Sequence, residues 1–240
     1  MNTELFKNGL NKLNIEITPQ QIKQFEAYSR LLKEWNEKIN LTAITDDDGI
    51  AVKHFLDSVL PLSAVDFGVG AKIADVGTGA GFPGIPLKIL RPDLELTLID
   101  SLNKRINFLN TVTEELGLSG NQCIHARAEE LSRDKAYRES FDIVASRAVA
   151  NMTVLCEYCL PYVKVGGMFA ALKARDADEE ISAAKAMIGN LGGKIENIYS
   201  VALPETDIVR TIAVIRKTKP TPNAFPRTAK KIKASAEAKK

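Results

Sequence analysis

The stretch Lys72-Ile-Ala-Asp-Val-Gly-Thr-Gly-Ala-Gly-Phe-Pro-Gly84 constrains the fold of this chain more than any other. A short apolar run ends in Gly77, Gly79 and Gly81 at every second position, and a new apolar run follows. That pattern predicts a strand, a tight turn and a helix start. Glycine suits the turn because the backbone must take dihedrals that side chains resist, and because a ligand can then touch bare main chain. Pro83 is expected in the first helical turn, where its missing N–H costs nothing. The turn is expected to offer unpaired N–H groups beside the helix, with Asp75 adding a fixed carboxylate.

From Lys72 onward, strand and helix patterns alternate. Strands are expected at 72–76, 94–99, 122–126, 141–145 and 168–173, with helices near 84–90, 104–116, 151–163 and 176–190. Such alternation predicts a parallel sheet covered on both faces. Two more strands, 194–202 and 209–216, have only a six-residue connection between them and should pair antiparallel. Ahead of the sheet, Thr18 and Pro19 open a helix whose apolar stripe runs from Ile22 through Phe25, Tyr28, Leu31, Leu32 and Trp35 to Ile39. A second short helix is expected over 50–60. Three segments follow: an N-terminal helical cap at 1–65, an α/β domain at 66–216 and a basic tail at 217–240.

Two cofactor readings compete at the turn. Gly79-Ala-Gly-Phe-Pro-Gly84 fits G-x-G-x-x-G, the weak signature of a dinucleotide site. Asp75-x-Gly77-x-Gly79-x-Gly81 fits better the turn that class I methyltransferases use for S-adenosylmethionine. Five alternating units and a terminal hairpin also match the class I Rossmann-like fold, a seven-stranded, mostly parallel sheet with an antiparallel last strand. In an open α/β sheet the ligand lies beyond the carboxyl ends of the strands, near the switch point. Asp100 ends the second strand and could hold both hydroxyls of an adenosine ribose, or cap the helix that follows. Ala128-Glu129-Glu130 follows the third strand; a carboxylate there could hold the adenine amino group, or simply start a helix. Arg147, in Ser146-Arg147-Ala148, could bind an anion, line a ligand pocket or form an ion pair.

Other chemistries lack their residues. No Asn/Asp-Pro-Pro-aromatic tetrapeptide follows the fourth strand, and no Pro-Cys or Thr-Cys nucleophile stands at a strand end. Cys156-Glu-Tyr-Cys159 is a lone C-x-x-C inside a predicted helix, read as buried core, so no metal is expected. His54 and His125 lie far apart and make no evident catalytic pair. Three cysteines, no secretory signal and no apolar run of membrane-spanning length lead to the expectation of a cytoplasmic protein without a membrane partner. Residues 217–240 carry seven Lys and one Arg against one Glu, net +7, leaving the first 216 residues at −5 out of an overall +2. Such a tail is either a solvated end or an arm for nucleic acid.

Beyond these features, Trp35-Asn-Glu-Lys-Ile-Asn-Leu-Thr-Ala-Ile44, His54-Phe-Leu-Asp-Ser58, the glycine turn extended by Phe82-Pro83-Gly84, Ser146-Arg-Ala148 and Phe225-Pro-Arg227 occur in that order. In these blocks the chain resembles the bacterial glucose-inhibited division protein B family, the 16S ribosomal RNA guanine-N(7) methyltransferases, over essentially residues 5–227. The resemblance implies S-adenosylmethionine as cofactor, with contacts at Gly77, Phe82, Ala128, Glu129 and Arg147. Gly79, Gly81 and Asp100 join that set from their positions at the turn and strand end. It also implies 16S ribosomal RNA, or an assembling small-subunit particle, as partner. Arg147, Lys173 and Arg227 are candidates for holding RNA phosphate or the guanine edge. No acid–base residue is named, because guanine nitrogen 7 has a lone pair and no proton to lose. A nucleotide- or RNA-binding module without turnover is the competing expectation. Two departures stand out: Lys173-Ala174 occupies a position where the family usually has Lys-Gly, and the segment after Pro226-Arg227 lacks the usual Gly and Pro-Leu.

Overall fold

The computed structural model describes residues 1–147 and 150–237, so Ala148, Val149 and the last three residues lie outside it. Its strands are β1 (Lys72–Val76), β2 (Glu95–Asp100), β3 (Asn121–His125), β4 (Phe141–Arg147), β5 (Val163–Ala174), β6 (Gly193–Ala202) and β7 (Val209–Lys217). They form one sheet in the order β3-β2-β1-β4-β5-β7-β6. The first five run parallel, while β7 is antiparallel to both β5 and β6. Chain order reverses between β1 and β4, which opens a crevice at their carboxyl ends.

The helices are α1 (Thr3–Lys12), α2 (Pro19–Ile39), α3 (Asp47–Gly49), α4 (Asp57–Val59), α5 (Gly84–Leu90), α6 (Asn103–Glu115), α7 (Ala128–Leu131), α8 (Met152–Cys159), α9 (Asp178–Asn190) and α10 (Ala229–Glu237). Strand alternation sends Ile73, Leu98, Ile143 and Val214 into a core shared with α1, α2, α5 and α6. It sends Ala74, Val144, Phe169 and Ile215 into a second core under α8 and α9. Both faces are thus covered, as a parallel sheet requires.

α2 starts where expected. The Thr18 hydroxyl accepts from the Gln21 N–H while Gln21 Oε1 accepts from the Thr18 N–H, a reciprocal cap. Its buried face carries Phe25 and Tyr28, which meet Phe6 of α1 and Phe55 in an aromatic cluster with centroids 4.6–5.9 Å apart. The expected helix at 50–60 is instead a π-helix, Ile50–Leu56, set between α3 and α4 and followed by the 3-10 turn Leu60–Ser63. The expected helix at 151–163 ends at Cys159 and tightens into a 3-10 turn at Pro161.

The first part of the basic tail is bonded to the body. Lys217 is fully buried, its ammonium donating to the Leu160 carbonyl (2.7 Å) and Thr221 hydroxyl (2.6 Å) and pairing with Glu139 at 3.0 Å. Arg138 donates to the Thr221 and Phe225 carbonyls, which straps the proline-rich segment across the protein.

Candidate functional site

The glycine turn takes left-handed dihedrals at Gly77, Gly79 and Gly81, with φ of 71°, 62° and 97°. Its N–H groups, however, are largely committed, which corrects the expectation of an open amide cradle. Gly77 and Thr78 donate to the Ile99 carbonyl, Gly81 and Phe82 to that of Thr78, and Ile85 to that of Gly81. Gly79 donates to Asp100 and Gly84 to Asp75. Asp75 is therefore a brace rather than a ligand contact. Fully buried, its Oδ2 also accepts from the Thr78 hydroxyl at 2.7 Å, and burial raises its pKa to about 6. A buried carboxylate at the start of α5, with the amides already used, leaves little for a pyrophosphate to bind. That arrangement disfavours the dinucleotide reading. Pro83 caps α5 rather than entering its first turn.

The two outer glycines differ. A methyl group at Gly79 would meet nothing within 4 Å, so its open side faces the crevice. At Gly81 it would fall 2.6 Å from the Tyr28 hydroxyl and the Ile85 side chain. The side of Gly81 that a Cβ would occupy thus turns inward, against Tyr28 and Ile85. The Tyr28 hydroxyl donates to the Ala80 carbonyl at 2.5 Å, fastening α2 to the turn.

Four strand ends converge beside this turn. One cavity of about 140 Å³ is lined by Gly77, Asp100, Ala128, Glu129, Tyr158 and Ala229, among others. A second, of about 400 Å³, is lined by Gly77, Gly79, Phe82, Asp100 and Arg147, among others, and shares Gly77 and Asp100 with the first. Together they make one cleft running from Glu129, past Asp100 and the glycines, to Arg147. Glu129 is 7% exposed and makes no hydrogen bond or ion pair among the described residues. Asp100 both caps and lines: Oδ1 accepts from the Leu102 N–H at 2.9 Å, and Oδ2 from Gly79 and, at 3.2 Å, from Arg105. One lone pair of Oδ1 remains for a ligand.

At the other end, the Arg147 guanidinium lies 4.9 Å from the Phe82 ring centroid and 3.1 Å from Asp57 Oδ2. Asp57 Oδ1 in turn accepts from Arg210 Nε at 2.7 Å. The His54 ring stacks on Phe82 at 4.7 Å and 10°, with Nε2 at 2.8 Å from the Thr42 hydroxyl. Burial, reinforced by Arg147, lowers the His54 pKa to about 4, so the ring is neutral at neutral pH. Its buried Nδ1 has no partner among the described residues. Sequence reasoning missed His54, Thr42, Asp57 and Arg210 as site residues. The His54-Phe-Leu-Asp-Ser58 block was the available signal, but the π-helix that aims it at the cleft was not legible.

Lys173 and Arg227 are already engaged. Lys173 Nζ pairs with Glu180 at 2.7 Å and donates to the Ala150 carbonyl. Arg227 grips Glu157 of α8 through Nε and Nη2, at 2.7–3.1 Å, with the carboxylate fully buried. That pair gives Arg227 an anchoring role within the protein, beside the expectation that it holds a phosphate or the guanine edge. Cys156 and Cys159 are buried, and burial pushes both thiols well up. Among the described residues there is no metal-ligating cluster, and no helix is long and apolar enough to cross a membrane.

The chain matches the model of the family described as rRNA small subunit methyltransferase G over residues 21–209. It is 51% identical over 227 residues to the ribosomal RNA small subunit methyltransferase G of Bacillus subtilis strain 168, covering 95% of each chain. To the protein of that name from Clostridium perfringens strain 13 it is 50% identical over 226 residues, covering 94% of this chain and 95% of the other. A SAM dependent methyltransferase from Aquifex aeolicus has a similar fold, with a TM-score of 0.52 at 16% identity over 71% of this chain and 93% of that one. TrmN from Thermus thermophilus gives a TM-score of 0.52 at 17% identity over 70% of this chain and 53% of that one.

Proposed function

The chain belongs to the rRNA small subunit methyltransferase G family, and from that premise we propose that it transfers a methyl group from S-adenosylmethionine to nitrogen 7 of a guanine in 16S ribosomal RNA. The substrate is the RNA itself or an assembling small-subunit particle, met in the cytoplasm. The observation that carries the cofactor assignment is the continuous cleft across the carboxyl ends of β1 to β4. Its fittings follow the order of an adenosylated amino acid. Glu129, unpartnered at one end, would accept from the adenine amino group, and the Ala128 backbone would frame the ring. The remaining Oδ1 lone pair of Asp100 would take a ribose hydroxyl, and Gly77 and Gly79 leave room for the chain beyond. Arg147 would hold the terminal carboxylate beside Phe82.

When bound, the sulfonium supplies a methyl that passes to the nitrogen lone pair, moving the positive charge from sulfur to the guanine ring and releasing no proton. No side chain is therefore required as a base, and the neutral His54 is consistent with that. The protein's work is alignment, which can be worth an effective molarity on the order of 10⁵ M or more. Asp57 positions Arg147 from below, and Tyr28 holds the turn in register. Titration calorimetry with S-adenosylmethionine and with NAD tests the assignment. Binding of the first and not the second is expected; the reverse would overturn it.

A further inference from the structure

A third cavity, of about 400 Å³, lies on the far side of Arg147 and His54, which it shares as a wall with the cofactor cleft. It is bounded by β5, β7 and the π-helix. Its size falls in the range of roughly 300–1,000 Å³ usual for small-ligand sites. Leu60, Leu172 and Ile212 supply buried apolar surface. Four basic side chains, Lys53, Arg147, Lys173 and Arg210, face two carboxylates, Asp57 and Glu180, leaving a net charge of +2. That sign is opposite to the −5 of the first 216 residues as a whole.

We propose that this cavity receives the acceptor nucleotide, turned out of the RNA, with its base on the apolar surface and its phosphate on the cationic side. The inference rests on the methyl-transfer reading and adds to it the place where the substrate sits. Transfer demands that the base lie against the sulfonium, which in the proposed pose sits between the ribose at Asp100 and the carboxylate at Arg147. This cavity adjoins the cleft along His54 and Arg147, on that side of the ribose and away from Glu129. An extruded nucleotide needs a pocket of nucleotide size that replaces its stacking partners, which apolar side chains do. A phosphate needs fixed positive charge, and Lys53, exposed on the outer face of the π-helix, has no ion pair among the described residues. Asp57, held between Arg147 and Arg210, keeps both guanidiniums at the shared wall.

Ala174, exposed at the end of β5, lines the cavity without belonging to the core or the cofactor cleft. Ala174→Trp would fill the cavity from its mouth. The experiment measures S-adenosylmethionine affinity by calorimetry and kcat/KM for methylation of 16S RNA in wild type, Ala174→Trp and Lys53→Ala. Expected for Ala174→Trp is unchanged cofactor affinity with kcat/KM reduced at least tenfold. For Lys53→Ala, a salt dependence of RNA binding shallower by about 0.7–0.9 is expected, the value of one lost phosphate contact. Wild-type kcat/KM in a folded Ala174→Trp protein would overturn the proposal, as would parallel loss of cofactor affinity. If the tryptophan variant does not fold, an unchanged salt slope in Lys53→Ala overturns it instead. A wild-type protein that binds no S-adenosylmethionine and methylates no RNA would sink the preceding reading, a result distinct from either of these.

Discussion

Arg227→Ala separates anchoring from RNA contact. In the native structure the guanidinium gives the buried Glu157 carboxylate three hydrogen bonds, from Nε at 3.0 and 3.1 Å and from Nη2 at 2.7 Å. Among the described residues, the variant retains the backbone N–H of residue 227, which donates to Oε1 at 2.6 Å. Breaking one side of a buried ion pair costs about 3–5 kcal/mol, because the remaining charge stays desolvated. Arg227 is 28% exposed, so water can enter beside it and the lower end, about 3 kcal/mol, is expected. For a chain of this length that corresponds to a fall of roughly 6–12 °C in Tm. Urea titration should show a lower midpoint at unchanged m-value, and Glu157→Gln in the same background should recover part of the loss by removing the stranded charge. A stability loss below about 1 kcal/mol, together with weakened RNA binding, would refute the anchor and restore Arg227 as an RNA contact.

Gly79→Asp should fold, because Asp tolerates the left-handed region and a Cβ there meets no protein atom. Its carboxylate would fill the cleft beside Asp100, so S-adenosylmethionine affinity should fall at least tenfold; retained affinity in calorimetry would place the ligand elsewhere. NMR titration of His54 should show a neutral ring down to a midpoint of about 4, and a midpoint near the ordinary 6.5 would contradict its burial beside Arg147. Since its folded pKa lies below the unfolded one, its contribution to stability is complete above 6.5 and lost as pH falls toward 4. That loss is about 3 kcal/mol, measurable as the difference in pH dependence between wild type and His54→Asn.

The alternation of apolar runs placed β1 and α5 at their observed boundaries, and Thr18 with Pro19 marked the start of α2. Such features are local, so they are written in neighbouring residues. α1 was not legible, since its stability comes from Phe6 and Leu10 entering an aromatic cluster with Phe25 and Phe55. The spacing of Gly77, Gly79 and Gly81 located the turn but could not show that Gly81 packs on Tyr28, or that most of the turn's amides are spent internally. Composition correctly marked the C-terminal charge but not its fate. Lys217 is buried against Glu139, Arg227 reaches Glu157 seventy residues back, and Ala229 forms part of the cleft wall. Each of those partnerships depends on long-range placement, which residue type alone does not encode.

The most direct test of methyl transfer is the identity of the modified nucleoside. Purified protein would be incubated with isotopically labelled S-adenosylmethionine and either unmethylated 16S RNA or small-subunit particles, and the RNA digested to nucleosides for mass spectrometry. The proposed transfer predicts label in N7-methylguanosine alone. Label on a pyrimidine carbon or an exocyclic amine, or no label from either substrate in a protein that binds the cofactor, would contradict the account.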